Sequence, residues 1–208
     1  EKPAMADEPE PLAPMGEGKG IHPGRVVWVH DPAATDWEGP GDGHLWQDEH
    51  TDPAVCDAMV SKTVRALAGE ATDEQAWDAI FRYHNKTRGK GDVGYRPGEK
   101  IVIKVNFVGF IRTLDSVDPQ SYDLGGWQDY MNTSPQLIAA LLRQLTQVAG
   151  VRQSDIAIGD GLAYFANEYY DMLHARFPDV VYLDCQGGKG RTQMVLSDVP
   201  LHWSCDTD

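Results

Sequence analysis

Two short apolar runs, residues 100–106 and 156–161, lie about fifty residues apart with an amphipathic helical pattern between them. Both are rich in β-branched or glycine-flanked apolar positions, and both end in polar residues. Strands buried on both faces read as continuous apolar runs, and parallel neighbours need a crossover of a dozen residues or more, usually a helix. The pair therefore predicts side-by-side parallel strands and an α/β fold, mainly parallel and doubly wound, with flanking helices and two long loops. Ligands of such sheets collect at the strand carboxyl ends. Lys104, Asn106, Asp160 and Gly161 are the first residues to suspect.

The remaining segments fit around that pair. Residues 25–30 predict a first strand, ended where Pro32 removes a backbone donor. A loop dense in Asp, Gly and Trp follows over 31–51, long enough to be functional or self-packed. Asp52-Pro53 opens a helix that runs to Gly69, and Thr72-Asp73-Glu74-Gln75 starts a second one. Residues 107–131 are a second long irregular segment. Ser134-Pro135 caps a helix through Val148, stopped by Gly150. A helix of roughly 162–176 and strands over 179–184 and 192–196 complete the pattern. Residues 1–24 hold five prolines and no periodicity, which predicts a flexible arm before a single α/β domain over 25–208.

Composition excludes several functions. A net charge of -14 opposes binding to nucleic-acid phosphate and to anionic membrane surfaces. No apolar run is long enough to span a bilayer. The three cysteines, Cys56, Cys185 and Cys205, are far apart, so neither a zinc ribbon nor a complete iron–sulfur motif is present. Cys56 falls inside a predicted helix and reads as core; Cys185 and Cys205 are a candidate bridge in an oxidising compartment. The start at Glu1, with a Pro- and Glu-rich lead, reads as the processed end of an exported protein, although a trimmed chain would look the same.

Several residues carry candidate chemistry. Lys104 on an otherwise apolar strand must meet an anion or carboxylate, or else snorkel out at the sheet rim. Asn106 beside it either supplies directional hydrogen bonds to a ligand or closes a turn. Gly159-Asp160-Gly161 marks a strand-to-helix turn whose amides can bind an anion, or whose carboxylate can act as base or ligand; simple turn chemistry is the competing reading. In the first quarter, His30, His44 and His50, with Asp42 among them, form an N/O ligand set suited to a divalent metal ion, although no ordered spacing such as H-E-x-x-H arranges them. No nucleotide-binding glycine fingerprint, P-loop or nucleophile elbow is present.

Taken in order, Gly20-Ile21-His22-Pro23-Gly24, residues 25–32, Gly41-Asp42-Gly43-His44, residues 89–95, 100–106, 132–135 and Ile158-Gly159-Asp160-Gly161 resemble the exported branch of the domain of unknown function 362 family. Members of that branch often carry a twin-arginine leader. The resemblance runs from about Gly20 onward and covers the amino-terminal half of the family pattern. It implies an α/β domain and a periplasmic or otherwise extracytoplasmic home. Many relatives add ferredoxin-type cysteine motifs or a longer second half, and this sequence shows neither. The sheet pattern also resembles, at fold level only, the amino-terminal part of nickel-dependent lactate racemase. Two expectations follow. One is a polar, metal-assisted anion or carboxylate site in which Lys104 neutralises, Asn106 orients and Asp160 acts as base or ligand, with Gly159 and Gly161 lending amides and His30, His44, Asp42 and His50 holding metal. The other is a non-catalytic accessory subunit that docks partners through the N-terminal arm or the aromatic helix 162–176.

Overall fold

The computed structural model describes residues 16–125 and 132–199. Its centre is a four-stranded sheet of β1 (Ile101–Lys104), β2 (Ile156–Gly159), β3 (Val181–Asp184) and β4 (Thr192–Gln193), in the order β1-β2-β3-β4. Every pairing is parallel, with Lys104 opposite Gly159 and Gly159 opposite Leu183. The α/β expectation is met. The strand order runs one way without reversing, so among the described residues the sheet has no switch point of the kind that usually locates a ligand.

Helices α1 (Pro53–Ala68), α2 (Asp73–Thr87), α3 (Pro135–Arg143) and α4 (Asn167–His174) carry their apolar residues to one side. Right-handed crossovers in a sequentially ordered parallel sheet place their helices on the same face. Accordingly Ile138, Leu142, Tyr169 and Leu173 of α3 and α4 join Ile156, Ile158 and Tyr182 of the sheet in one buried cluster. A smaller cluster of Cys56, Val60, Val64, Ala68 and Ala76 packs α1 and α2 against Ala140 behind it. Among the described residues the opposite sheet face is open. Val102 is 69% exposed and Val181 37%, and Lys104 projects from the end of the same alternating row.

Residues 25–30, expected as a strand, are not one. Their predecessors are tied to the helical layer: the Gly20 amide donates to the Tyr83 hydroxyl, His22 Nε2 lies 2.8 Å from the Ala68 carbonyl and Arg25 donates to that of Ala66. The segment is therefore held beside α1 without a ladder partner, and a strand exists only where one is found. Of the predicted arm, residues 1–15 lie outside the described residues, and residues 20–24 form the turn just described.

The loop over 31–51 is self-packed. A Thr35–Thr51 antiparallel bridge closes its neck, and Trp37 Nε1 and Thr51 Oγ1 donate to the Gly43 and Leu45 carbonyls inside it. Helix α4 starts at Asn167 rather than near 162, because residues 163–164 bridge to the 107–125 loop, with the Tyr164 amide donating to the Phe110 carbonyl. Its aromatic residues Tyr169 and Tyr170, with Tyr164 and Phe165 before them, are buried in the core. They are packing residues, so these four rings are spent on the core of the protein itself.

Candidate functional site

The first residues past β1, β2 and β3 meet at the carboxyl edge of the sheet. Lys104 Nζ lies 2.8 Å from Asp160 Oδ2 and also donates to the carbonyl of Val105. The Lys104 side chain is 61% exposed while that of Asp160 is buried. Asp160 accepts further from the amides of Phe107 (3.2 Å) and Leu162 (3.1 Å), so the carboxylate pins the chains leaving both strands. Burial alone would raise its pKa, but the Lys104 ammonium and the two amides outweigh burial and hold it below the usual carboxylate range. A carboxylate that is ionised and occupied by three donors positions Lys104; it is poorly placed to take a proton.

The predicted partners of this pair divide. Asn106 is exposed, its carbonyl accepts from the Thr133 amide, and it lines a separate groove of about 420 Å³ with Thr133, Ser134, Cys56 and Met59. Gly159 serves packing: a Cβ there would stand 1.9 Å from the Leu183 carbonyl oxygen, so only glycine lets β2 and β3 approach this closely. Gly161 faces Met194 at 3.0 Å from its would-be Cβ.

The candidate metal residues are dispersed. His30 stacks on Trp28, and His44 stacks on Trp46 at 5.0 Å while its amide donates to Gln47 Oε1. Only His50 and Asp42 come together, at 3.8 Å, with Asp36 at 3.3 Å from the same Nδ1. Among the described residues no group of three or more His, Cys, Asp or Glu side chains is placed to hold a metal ion. The physical reason is the self-packed loop, which spends its polar groups on its own closure. Cys185 is a buried free thiol whose pKa is pushed up by burial and then by Asp184; Cys205 lies outside the described residues.

Four residues went unnoticed in the sequence. Asp184 ends β3 as Asp160 follows β2, fully buried, accepting from the amides of Phe165, Gln186 and Gly187. The signal was available, since Leu183-Asp184 followed by Gly187-Gly188 repeats the strand–Asp–Gly punctuation of 158–161. Arg191 is buried between the rings of Tyr122 (4.7 Å) and Tyr170 (3.8 Å) and donates to the carbonyls of Phe165 and Lys189 and to Asn167. Tyr122 holds a left-handed backbone (φ 71), donates to the Gly187 carbonyl, and has its hydroxyl pushed up to about 12 by burial and by Asp184. Arg112, exposed, lies on the loop whose amide donates to Leu162 beside Asp160.

No family model matches the chain, and neither a curated protein nor a solved structure matches it.

Proposed function

We propose that the chain binds a small anion, a carboxylate or phosphate, at the carboxyl edge of its sheet, with Lys104 as the central contact and Arg112 as a second cation on the same rim. One observation carries this reading: Lys104 is fixed at a strand end by Asp160 and the Val105 carbonyl, yet its side chain is 61% exposed. An ammonium has three N–H groups, and two are used, so one points to whatever occupies the rim. Asp160 orients the amine and cancels part of its charge, which favours a singly charged or weakly held ligand. The proposed extracytoplasmic home rests on the resemblance, from about Gly20 onward, to the exported family branch and on the proline-rich composition of residues 1–24.

Titration calorimetry at low salt with inorganic phosphate and with acetate tests the rim. Saturable binding is expected, weakened about tenfold or more by Lys104→Met, since a hydrogen bond to a charged group contributes about 1.5–3 kcal/mol. Equal heats from both proteins would end the anion reading.

A second reading, an accessory subunit of an extracytoplasmic assembly, is favoured by the open apolar sheet face around Val102 and Val181. Parallel sheets are ordinarily covered on both faces.

A further inference from the structure

Two parts of the chain each lack what the other offers. Among the described residues, strand β1 pairs with β2 on one side only. In a parallel ladder alternate residues turn both backbone groups to the same neighbour. The Val105 amide donates to the Gly159 carbonyl, which sets the phase, so Val102 and Lys104 direct their amides and carbonyls outward. Beside that edge, on the helix side, lies a hollow of about 400 Å³ lined by Trp77, Ile80, Phe81, Ile101, Ile103 and Leu141. An unbonded strand edge next to an apolar hollow is what extended segments use when they add to a sheet.

Residues 26–30 are the complementary element. They are Val-Val-Trp-Val-His, a strand-forming composition. Among the described residues their backbone makes no hydrogen bond. Val27 and Val29 are half-buried, whereas Val26 is 88% and Trp28 82% exposed. Both ends of the segment are anchored, at Ala66 and Ala68 on one side and through the Thr35–Thr51 bridge on the other. Anchored at both ends and unbonded in between among the described residues, the segment has its amides and carbonyls free to pair with another strand.

We infer that the β1 edge accepts residues 26–30 of a second copy of this chain as an added strand, reciprocally, so that the exchange closes as a two-fold dimer. The five-residue segment matches the four-residue edge in length. This holds whether or not the Lys104 rim binds anions, and the measurements below do not involve a ligand. With -14 charge on each copy, long-range repulsion opposes association, so added salt should strengthen the dimer.

Sedimentation equilibrium from low to high micromolar protein, at low and high NaCl, reads this directly. A monomer–dimer equilibrium that shifts toward dimer with salt is expected. The double variant Val27→Pro, Trp28→Pro removes amides on both sides of the segment, and should be monomeric with unchanged circular dichroism, since no hydrogen bond is lost within the chain. In a Cys205→Ser background, mixing Trp28→Cys with Val102→Cys under oxidation should give a crosslinked heterodimer. A monomer at every concentration and salt overturns the inference. So does a dimer indifferent to the proline pair, an absent crosslink, or open-ended assembly in place of a closed pair.

Discussion

Asp155 shows how one carboxylate can organise the approach to a sheet. It is buried at the amino end of β2 and accepts from Tyr95 Oη (2.5 Å), the Gly98 amide (2.7 Å) and Lys100 Nζ (2.7 Å). The Lys100 ammonium, then the Tyr95 hydroxyl and the Gly98 amide, hold its pKa well below the usual carboxylate range. A carboxyl with a depressed folded pKa contributes stability that is present above its unfolded value, about 3.9, and is lost as pH falls toward the folded one. Urea midpoints measured from pH 7 down to pH 2.5 should therefore fall steeply in the acid limb. Asp155→Asn should be less stable at neutral pH and show a shallower acid decline; an unchanged acid limb would contradict the assignment. Little of this was visible beforehand, because Tyr95 and Asp155 are 60 positions apart and only the fold joins them.

At the scale of elements, local chemistry decides most boundaries. Asp52 caps α1 by accepting from the amides of Ala54 (2.7 Å) and Val55 (3.1 Å), and Gly69 ends the helix in the left-handed region, φ 76. Asp52→Ala should cost about 1 kcal/mol, read as a shift in the denaturant midpoint with the slope unchanged. Thr72 and Ser134 cap α2 and α3 in the same way, and all three starts were legible from side-chain type alone. Residues 25–30 and 162–166 were not. Alternating β-branched residues describe a surface that suits a strand, while pairing depends on where neighbouring segments are anchored. Likewise the helical pattern after Gly161 begins late because residues 163–164 are spent on the 107–125 loop. The helix through Val148 changes character as well: α3 ends at Arg143 and residues 144–148 widen into a π turn. There Gln144 is buried, accepting from Trp77 and donating to Asp73.

At the scale of the whole molecule, the dominant feature among the described residues is a parallel sheet with its helices on one side. Val102, Val181, Leu162 and Met194 remain exposed on or beside the other, an apolar surface of the sort that marks an interaction site. The folded protein should accordingly bind an apolar fluorescent dye at neutral pH. Val102→Glu with Val181→Glu should suppress that signal without lowering the thermal midpoint, because both side chains already meet water. Undiminished fluorescence would move the dye site elsewhere. Periodicity, caps and strand–glycine punctuation by themselves determined that this is an α/β chain with neighbouring parallel strands within 100–106 and 155–159, since those signals are local and each names its own element. The register that sets Lys104 opposite Gly159, within reach of Asp160, came from the tertiary structure. Tertiary structure alone decided that Asn106 opens onto a different groove, that the histidines of the 31–51 loop scatter, and that Arg191 supports the carboxyl edge. Those outcomes depend on which buried polar groups find partners across long stretches of chain, a competition that no local pattern encodes.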